Sequence, residues 1–182
     1  MAWQIDPNHT SIQFSARHMM IATVRGQFER FTSTIEADEQ DPTRSRVEVQ
    51  IDAASLNTRN DQRDADLRGP NFLDVDHYPS IDFKSTRIEQ VDPTHGRITG
   101  DLTIHGVTRA VMLNVEYTGE VKSPWGTTVA GFNAHTKINR KDWGLTWNAV
   151  LETGGVVVGE EITIDIEVEL VKQADQVEAA GA

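Results

Sequence analysis

The sequence predicts an all-β protein in which eight antiparallel strands close into a barrel around an apolar interior cavity. Apolar and polar residues alternate along much of the 182-residue chain, as in strands that have one buried and one exposed face. His105 and Gly106 stand between two such runs, as expected of a two-residue hairpin turn with positive φ angles. No alternation of strands with helices occurs, which argues against a parallel sheet. The interior of an eight-stranded barrel is either filled by side chains or holds one small ligand, and the aliphatic and aromatic inward residues are compatible with an apolar cavity.

Each predicted strand follows one run of alternating residues. The clearest run, 162–170, places five aliphatic side chains on one face and four polar side chains on the other. Gly26 lies within the long run 23–36 and is interpreted as a bend or bulge where that strand curls. The eight predicted strands span residues 11–16, 23–36, 46–52, 80–90, 96–104, 107–118, 127–138 and 160–171.

One short helix is predicted after the third main strand, over residues 59–68. Asn57 or Thr58 offers a side chain that can cap its first turn, and Gly69-Pro70 ends it. A helix at this point would close one end of the barrel.

The chain has the length of one domain, which is predicted over residues 1–172. Residues 173–182 contain too few apolar side chains to pack and are expected to form a disordered tail. The first residues lack the basic and apolar regions of a secretory signal, so a cytoplasmic location is expected. A periplasmic or secreted location is the alternative if a signal has been removed.

The composition argues against several classes of partner. The chain has 17 Lys and Arg residues against 28 Asp and Glu residues, a net charge of −11, and no basic cluster. Neither nucleic acid nor anionic lipid is therefore expected to bind through electrostatic attraction. The absence of cysteine excludes thiolate metal sites and thiol catalysis. The longest apolar run is far shorter than the roughly 20 residues that span a bilayer, so no integral membrane segment is expected.

No motif indicates catalysis. The six histidines show no metal-ligand spacing, so no metal site is predicted. The sequence contains neither a nucleophile elbow nor a phosphate-binding loop, and no catalytic residue is assigned. Arg63 and Asp64 are adjacent in the predicted helix, so each needs a partner elsewhere. They either orient a polar head group at the barrel mouth or tie the helix to neighbouring strands.

A series of short motifs, in order along residues 3–172, resembles one protein family. The motifs are Asp6-Pro7-Asn8-His9-Thr10-Ser11, Gly26-Gln27-Phe28, Arg63-Asp64-x-x-Leu67, Phe72-Leu73-Asp74-Val75, Gly100-Asp101-Leu102-Thr103-Ile104-His105-Gly106 and Asn139-Arg140-x-Asp142-Trp143-Gly144. Together they resemble the YceI-like, polyisoprenoid-binding proteins. The chain departs from the family pattern at Trp143 and Ala110, where Phe and Pro are usual, and at Asp66, where His or Asn is frequent.

This resemblance implies a lipocalin-like antiparallel barrel whose elongated apolar cavity binds a long-chain polyisoprenoid, such as an isoprenoid quinone or a prenyl phosphate. It implies binding, storage or transport rather than catalysis, with a bound lipid and no required cofactor. A quinone-linked redox protein, a stress-response protein and an interaction protein with a filled barrel are the alternatives. A barrel edge could also pair two copies as a homodimer.

Two sets of candidate ligand-binding residues complete this hypothesis. The wall of the cavity is expected to include Phe14, Met19, Phe28, Phe31, Phe72, Phe83, Leu102, Leu113, Phe132 and Trp147. The candidates for contact with the head group are His9, His18, Arg63, Asp64 and Arg140. Because each buried CH2 group is worth roughly 0.8 kcal/mol, the apolar wall should provide affinity while the polar groups set orientation.

Overall fold

The computed structural model describes residues 3–149, 151 and 157–172 of the chain, so the predicted tail 173–182 lies outside the described residues. Within these ranges the all-β prediction is confirmed, with eleven strands and one α-helix. The strands are β1 (Gln4–Ile5), β2 (Ser11–His18), β3 (Ala22–Phe28), β4 (Phe31–Glu36), β5 (Arg46–Asp52), β6 (Leu56–Asn57), β7 (Ser80–Gln90), β8 (His95–Ile104), β9 (Val107–Lys122), β10 (Thr128–Asn139) and β11 (Val158–Lys172). The helix is α1 (Asp61–Arg68).

These strands form one antiparallel sheet that curls on itself, as in lipocalin-like proteins. The strand order is β4-β5-β7-β8-β9-β10-β11-β2-β3-β6, and β1 pairs with the end of β11. The chain crosses between the two sides of this order at Glu29 and Arg30. Here the Glu29 N–H donates to the Ser55 carbonyl at 3.2 Å, and the Asp52 N–H donates to the Arg30 carbonyl at 3.0 Å. These bonds hold the sheet in its curled form.

The predicted number of eight strands is wrong for a topological reason. The run 23–36 is two strands, because β3 pairs with β2 whereas β4 pairs with β5 on the other side of the sheet. The two-residue strands β1 and β6 are too short to show alternation. Gly26 is not a bulge, because the β2–β3 register passes through it without a shift. A Cβ atom at Gly26 would overlap the ring of Phe14 opposite, so glycine makes room for that inward-facing ring.

The helix begins two residues later than predicted. Its cap is Asn60, whose Oδ1 accepts a hydrogen bond from the Arg63 N–H at 3.0 Å. The caps predicted at Asn57 and Thr58 are therefore wrong. Asn57 instead accepts a bond from the Arg59 N–H at 2.8 Å in the preceding loop.

The hairpin turn predicted between β8 and β9 is confirmed. His105 and Gly106 have φ angles of 53° and 71°, and Ile104 pairs with Val107 on either side of them. Within the described ranges, no helix combines the length and the apolar character needed to cross a membrane.

Inward-facing side chains form two apolar clusters. The larger cluster surrounds Ile12, Ile81 and Trp143, near the beginning of β7 and the end of β8. The smaller cluster consists of Trp3, Ala130 and Leu170 with partly buried neighbours, near the end of β11. The curled sheet therefore has an apolar interior along its whole length.

Candidate functional site

An elongated cavity of about 890 Å³ lies inside the curled sheet. Along β11 its wall consists of Ile162, Ile164, Ile166, Val168 and Leu170, the five residues that alternation places on one face. Because a strand rises about 3.4 Å per residue, this row alone extends roughly 27 Å. The volume lies in the upper part of the roughly 300–1,000 Å³ range of small-molecule sites. The cavity thus has dimensions that suit a long and flexible apolar chain.

Met19 does not line this cavity, although the sequence analysis placed it there. It lies in the turn after β2, with a φ angle of 54° and 40% of its surface exposed. The prediction is wrong because the inward row of β2 consists of Ile12, Phe14, Ala16 and His18, a period of two that omits Met19, and the strand ends at His18. The other predicted wall residues do line the cavity, although their contact with a ligand stays a prediction: Phe14, Phe28, Phe31, Phe72, Phe83, Leu102, Leu113, Phe132 and Trp147.

Aromatic pairs stiffen the wall of the cavity. The ring centroids of Phe14 and Phe28 lie 5.2 Å apart, and those of Phe72 and Trp147 lie 5.3 Å apart. Both pairs are tilted, which is an arrangement that the charge distribution of aromatic rings favours. Such pairs give a ligand chain a preformed apolar surface.

A polar mouth of the cavity lies beside α1 and the end of β2. Arg63 and His18 line it, together with Arg17 and Asp66. The Arg63 Nε donates to the Thr58 hydroxyl at 2.8 Å, and its Nη2 donates to the Thr58 carbonyl at 2.7 Å. Among the described residues no group accepts a hydrogen bond from Arg63 Nη1. This nitrogen is therefore available to an oxygen of a ligand head group.

Asp64 does not reach the cavity, contrary to its selection as a head-group residue. Its carboxylate is buried, with 5% of the residue exposed. The Asp64 Oδ1 accepts hydrogen bonds from both the N–H and the hydroxyl of Thr58. Asp64 thus ties the beginning of α1 to the preceding loop, which is the structural alternative raised in the sequence analysis.

His9 also lies away from the cavity lining, in the short turn before β2. Its Nδ1 is 2.7 Å from Asp6 Oδ2, and this hydrogen bond raises the pKa of His9 and lowers the pKa of Asp6. Asp6, His9 and Glu169 each present a ligand atom within 4.8 Å of the others, so these three could hold a cation. These three residues are partly exposed, and the hydrogen bond between Asp6 and His9 already explains why those two side chains lie close together. None of the three lines the cavity.

Arg140 lines the mouth but acts there as a structural brace. Only 3% of the residue is exposed, and this burial lowers the pKa of its guanidinium. The guanidinium donates to the carbonyls of Leu145 at 2.6 Å, Trp147 at 2.9 Å, Val158 at 3.2 Å and Gly159 at 2.9 Å. It thus joins the segment after β10 to the beginning of β11. At most one of its five N–H groups remains for a head group.

At the other end of the cavity the lining includes Trp3, an aromatic residue that sequence reasoning did not select. Trp3 is 8% exposed, and its indole N–H donates to Glu39 Oε1 at 3.1 Å. The Lys172 ammonium donates to the same carboxylate at 2.8 Å and lies 5.6 Å from the Trp3 ring centroid. These three residues are far apart in the chain, so no local pattern indicates that they meet.

Comparison of the chain with known proteins identifies related sequences and a family. Residues 3–170 match the family described as the YceI-like domain. A UPF0312 protein of Staphylococcus aureus (strain bovine RF122 / ET3-1) is 33% identical over 165 residues, covering 90% of this chain and 94% of that protein. The UPF0312 protein of S. aureus strain N315 has the same identity over the same coverage.

Solved structures share the fold. The YCEI protein of Campylobacter jejuni matches with a TM-score of 0.75 and 31% identity, covering 86% of this chain and 90% of that one. BcnA of Burkholderia cenocepacia matches with a TM-score of 0.79 and 20% identity over 91% and 99% of the two chains. A polyisoprenoid-binding domain from Saccharophagus degradans matches with a TM-score of 0.64 and 14% identity, covering 93% of this chain and 98% of that one. BcnA and this domain have such low sequence identity that their likeness to this chain concerns the fold alone. From the family match over nearly its whole length, the chain belongs to the YceI-like domain family.

Proposed function

We propose that this protein binds a long-chain polyisoprenoid in its cavity and stores or carries the lipid without converting it chemically. The observation that carries the proposal is the continuous apolar wall of the cavity. Strand β11 contributes five side chains to this wall, from Ile162 to Leu170. The polyisoprenoid-binding domain that shares the fold supports the choice of ligand class. A wall of this kind shields a hydrocarbon chain from water and offers few polar groups for chemistry.

The energetics of burial fit such a ligand. At roughly 0.8 kcal/mol for each buried CH2 group, enclosing a chain of about forty carbons would nominally yield around 30 kcal/mol. Measured affinities end near 18–21 kcal/mol, so the cost of ordering a flexible tail must offset a large part of that gain. The apolar wall alone is therefore sufficient for tight binding.

The polar mouth would then set the direction of the ligand. Arg63 Nη1 can donate to a phosphate oxygen of a prenyl phosphate or to a carbonyl of an isoprenoid quinone. The hydrogen bond to a phosphate is the stronger one because both groups are charged. We expect Arg63→Gln to weaken binding of a prenyl phosphate more than binding of a quinone, as measured by paired titrations.

The proposal is tested by titrating delipidated protein with a long-chain prenyl phosphate and a long-chain isoprenoid quinone. Trp147 lies in the wall beside Phe72, so binding should change the intrinsic fluorescence in a saturable, one-to-one manner. Trp147→Phe identifies the part of the signal that comes from this indole. If no long apolar chain binds, the cavity is not a ligand site and the proposal fails. Consumption of a bound quinone with a reductant would instead favour the redox alternative.

A further inference from the structure

The turn between β2 and β3 exposes three consecutive apolar side chains. Met19, Met20 and Ile21 have 40%, 56% and 84% of their surface exposed. The backbone beneath them is anchored, because the Met19 N–H donates to the Val157 carbonyl at 2.8 Å and the Ile21 N–H donates to the His18 carbonyl at 3.3 Å. A fixed turn that presents adjacent apolar side chains to solvent marks a surface for an apolar partner.

This turn has a backbone conformation that its residues disfavour. Met19 and Met20 have φ angles of 54° and 63°, a region where Asn and Gly are usual. Arg17 supports the turn by donating to the Met20 carbonyl at 3.1 Å and to the Thr23 hydroxyl at 3.3 Å. A turn needed only for chain reversal would be more stable with Asn-Gly, so the methionine side chains have a use of their own.

The turn lies at the rim of the cavity mouth. Arg17 and His18, which precede it directly, line the cavity, and so does Val157, to which it is hydrogen-bonded. Beside it, residues 22–26 of β3 pair with β2 but have no strand partner on their other side among the described residues. The apolar tip therefore stands next to the open end of the sheet, where a ligand would enter and leave.

The chain segment that carries the turn differs in charge from the rest of the chain, and Glu160 and Glu161 of the neighbouring β11 form ion pairs with Lys141 and Lys137. Residues 7–28 contain no Asp or Glu, although the whole chain has 28 of them and a net charge of −11. Arg17 and Arg25 are exposed on the two strands that lead into the turn. These cations suit the phosphate level of a bilayer surface, while apolar insertion has to provide the affinity because the net charge opposes purely electrostatic docking.

From these observations we propose that Met19, Met20 and Ile21, hereafter the docking loop, insert into the interface of a phospholipid bilayer. Arg17 and Arg25 then lie at the level of the lipid phosphates, and the cavity mouth faces the leaflet. A bilayer fits better than a protein partner, because one short turn is far smaller than the roughly 800 Å² that each partner buries in a stable protein interface. This inference goes beyond the proposed function, since docking does not require an occupied cavity.

The opposite end of the sheet supplies a matched control. Trp125 is 86% exposed in the turn between β9 and β10. Val158 of β11 pairs with His18, whereas Lys172 of the same strand pairs with Thr128. Those 14 residues correspond to roughly 45 Å along the strand. Trp125 is thus a large exposed apolar residue that lies far from the docking loop.

The test is flotation of the full chain, freed of lipid, with vesicles of phosphatidylcholine and phosphatidylglycerol in equal parts. The variant Met19→Asn/Met20→Gly/Ile21→Thr removes the apolar side chains and uses residues that favour the positive φ angles, so the turn is retained. We expect wild-type protein and Trp125→Thr to float equally, and the triple variant to bind at least about tenfold more weakly. Ile21→Ser, which changes only the most exposed residue, should give an intermediate loss. Thermal unfolding verifies that each variant is folded.

Three results would overturn the inference: wild-type protein that does not float, a folded triple variant that floats as well as wild type, or a loss confined to Trp125→Thr. Flotation and ligand titration separate the two proposals. Wild-type protein that takes up isoprenoid from solution but does not float leaves the proposed function intact and removes the docking loop. Protein that floats but takes up no apolar ligand leaves the docking loop intact and removes the proposed function.

Discussion

Filling the cavity from within should weaken the binding of a long isoprenoid chain. Ala134 lines the cavity in the middle of β10, where it pairs with Val115 and Ile166, which also line it. Ala134→Trp adds about nine non-hydrogen atoms and displaces a similar number of ligand carbons, nominally about 7 kcal/mol of apolar burial. The flexible tail can shift and recover part of that contact, so we expect a loss of about 3 kcal/mol, or roughly 100-fold in Kd.

The assay is a titration of delipidated protein with a long-chain isoprenoid quinone, with thermal unfolding measured in parallel. Asn133→Trp is the matched control, because Asn133 is the adjacent residue on the exposed face of the same strand. This control should bind as wild type does, and Ala134→Trp should retain more affinity for a shorter isoprenoid than for a long one. Wild-type affinity for the long chain in folded Ala134→Trp would refute the reasoning that the ligand occupies this cavity.

Three further predictions concern the stability of the fold and the pKa of His9. Arg140→Gln should lower the free energy of unfolding by about 3 kcal/mol in urea titrations, because it leaves buried carbonyls without their charged donor; an unchanged midpoint would contradict the role of Arg140 as a brace. Gly100→Ala should cost about 1–3 kcal/mol in calorimetry, because its Cβ atom would overlap the Phe83 ring and the Lys84 carbonyl oxygen; wild-type stability would contradict this steric account. In NMR titrations the pKa of His9 should lie above its ordinary value and return to it in Asp6→Asn, since the hydrogen bond to Asp6 raises it. The pair therefore stabilises the fold fully at pH values between the ordinary pKa of aspartate and the ordinary pKa of histidine. It loses this effect as pH rises through the raised pKa of His9 or falls through the lowered pKa of Asp6.

The sequence was sufficient to predict those features that short-range patterns determine. A strand that buries one face must alternate, so the row of wall residues from Ile162 to Leu170 could be predicted from the sequence alone. The turn at His105 and Gly106 was likewise predictable, because Gly adopts positive φ angles readily. Both features depend on residues within a few positions of each other.

Features that depend on distant partners could not be predicted in this way. The run 23–36 divides into two strands because its first half pairs with β2 and its second half pairs with β5. No local sequence pattern indicates these partners. Arg140 looked like a head-group residue until its carbonyl partners, up to 19 residues away, were known. Met19 was misplaced because its turn contains neither Gly nor Asn, the usual signals of such a conformation.

The most direct test of the central claim is mass spectrometry of an organic extract of the protein purified without detergent. The proposed function predicts a near-stoichiometric polyisoprenoid in the extract, and this result would also identify its head group and chain length. In Ala134→Trp the same extraction should yield less lipid or a shorter chain, whereas Asn133→Trp should match wild type. An extract without lipid, from protein that also takes up no added quinone or prenyl phosphate, would contradict the claim that this cavity is a lipid-binding site.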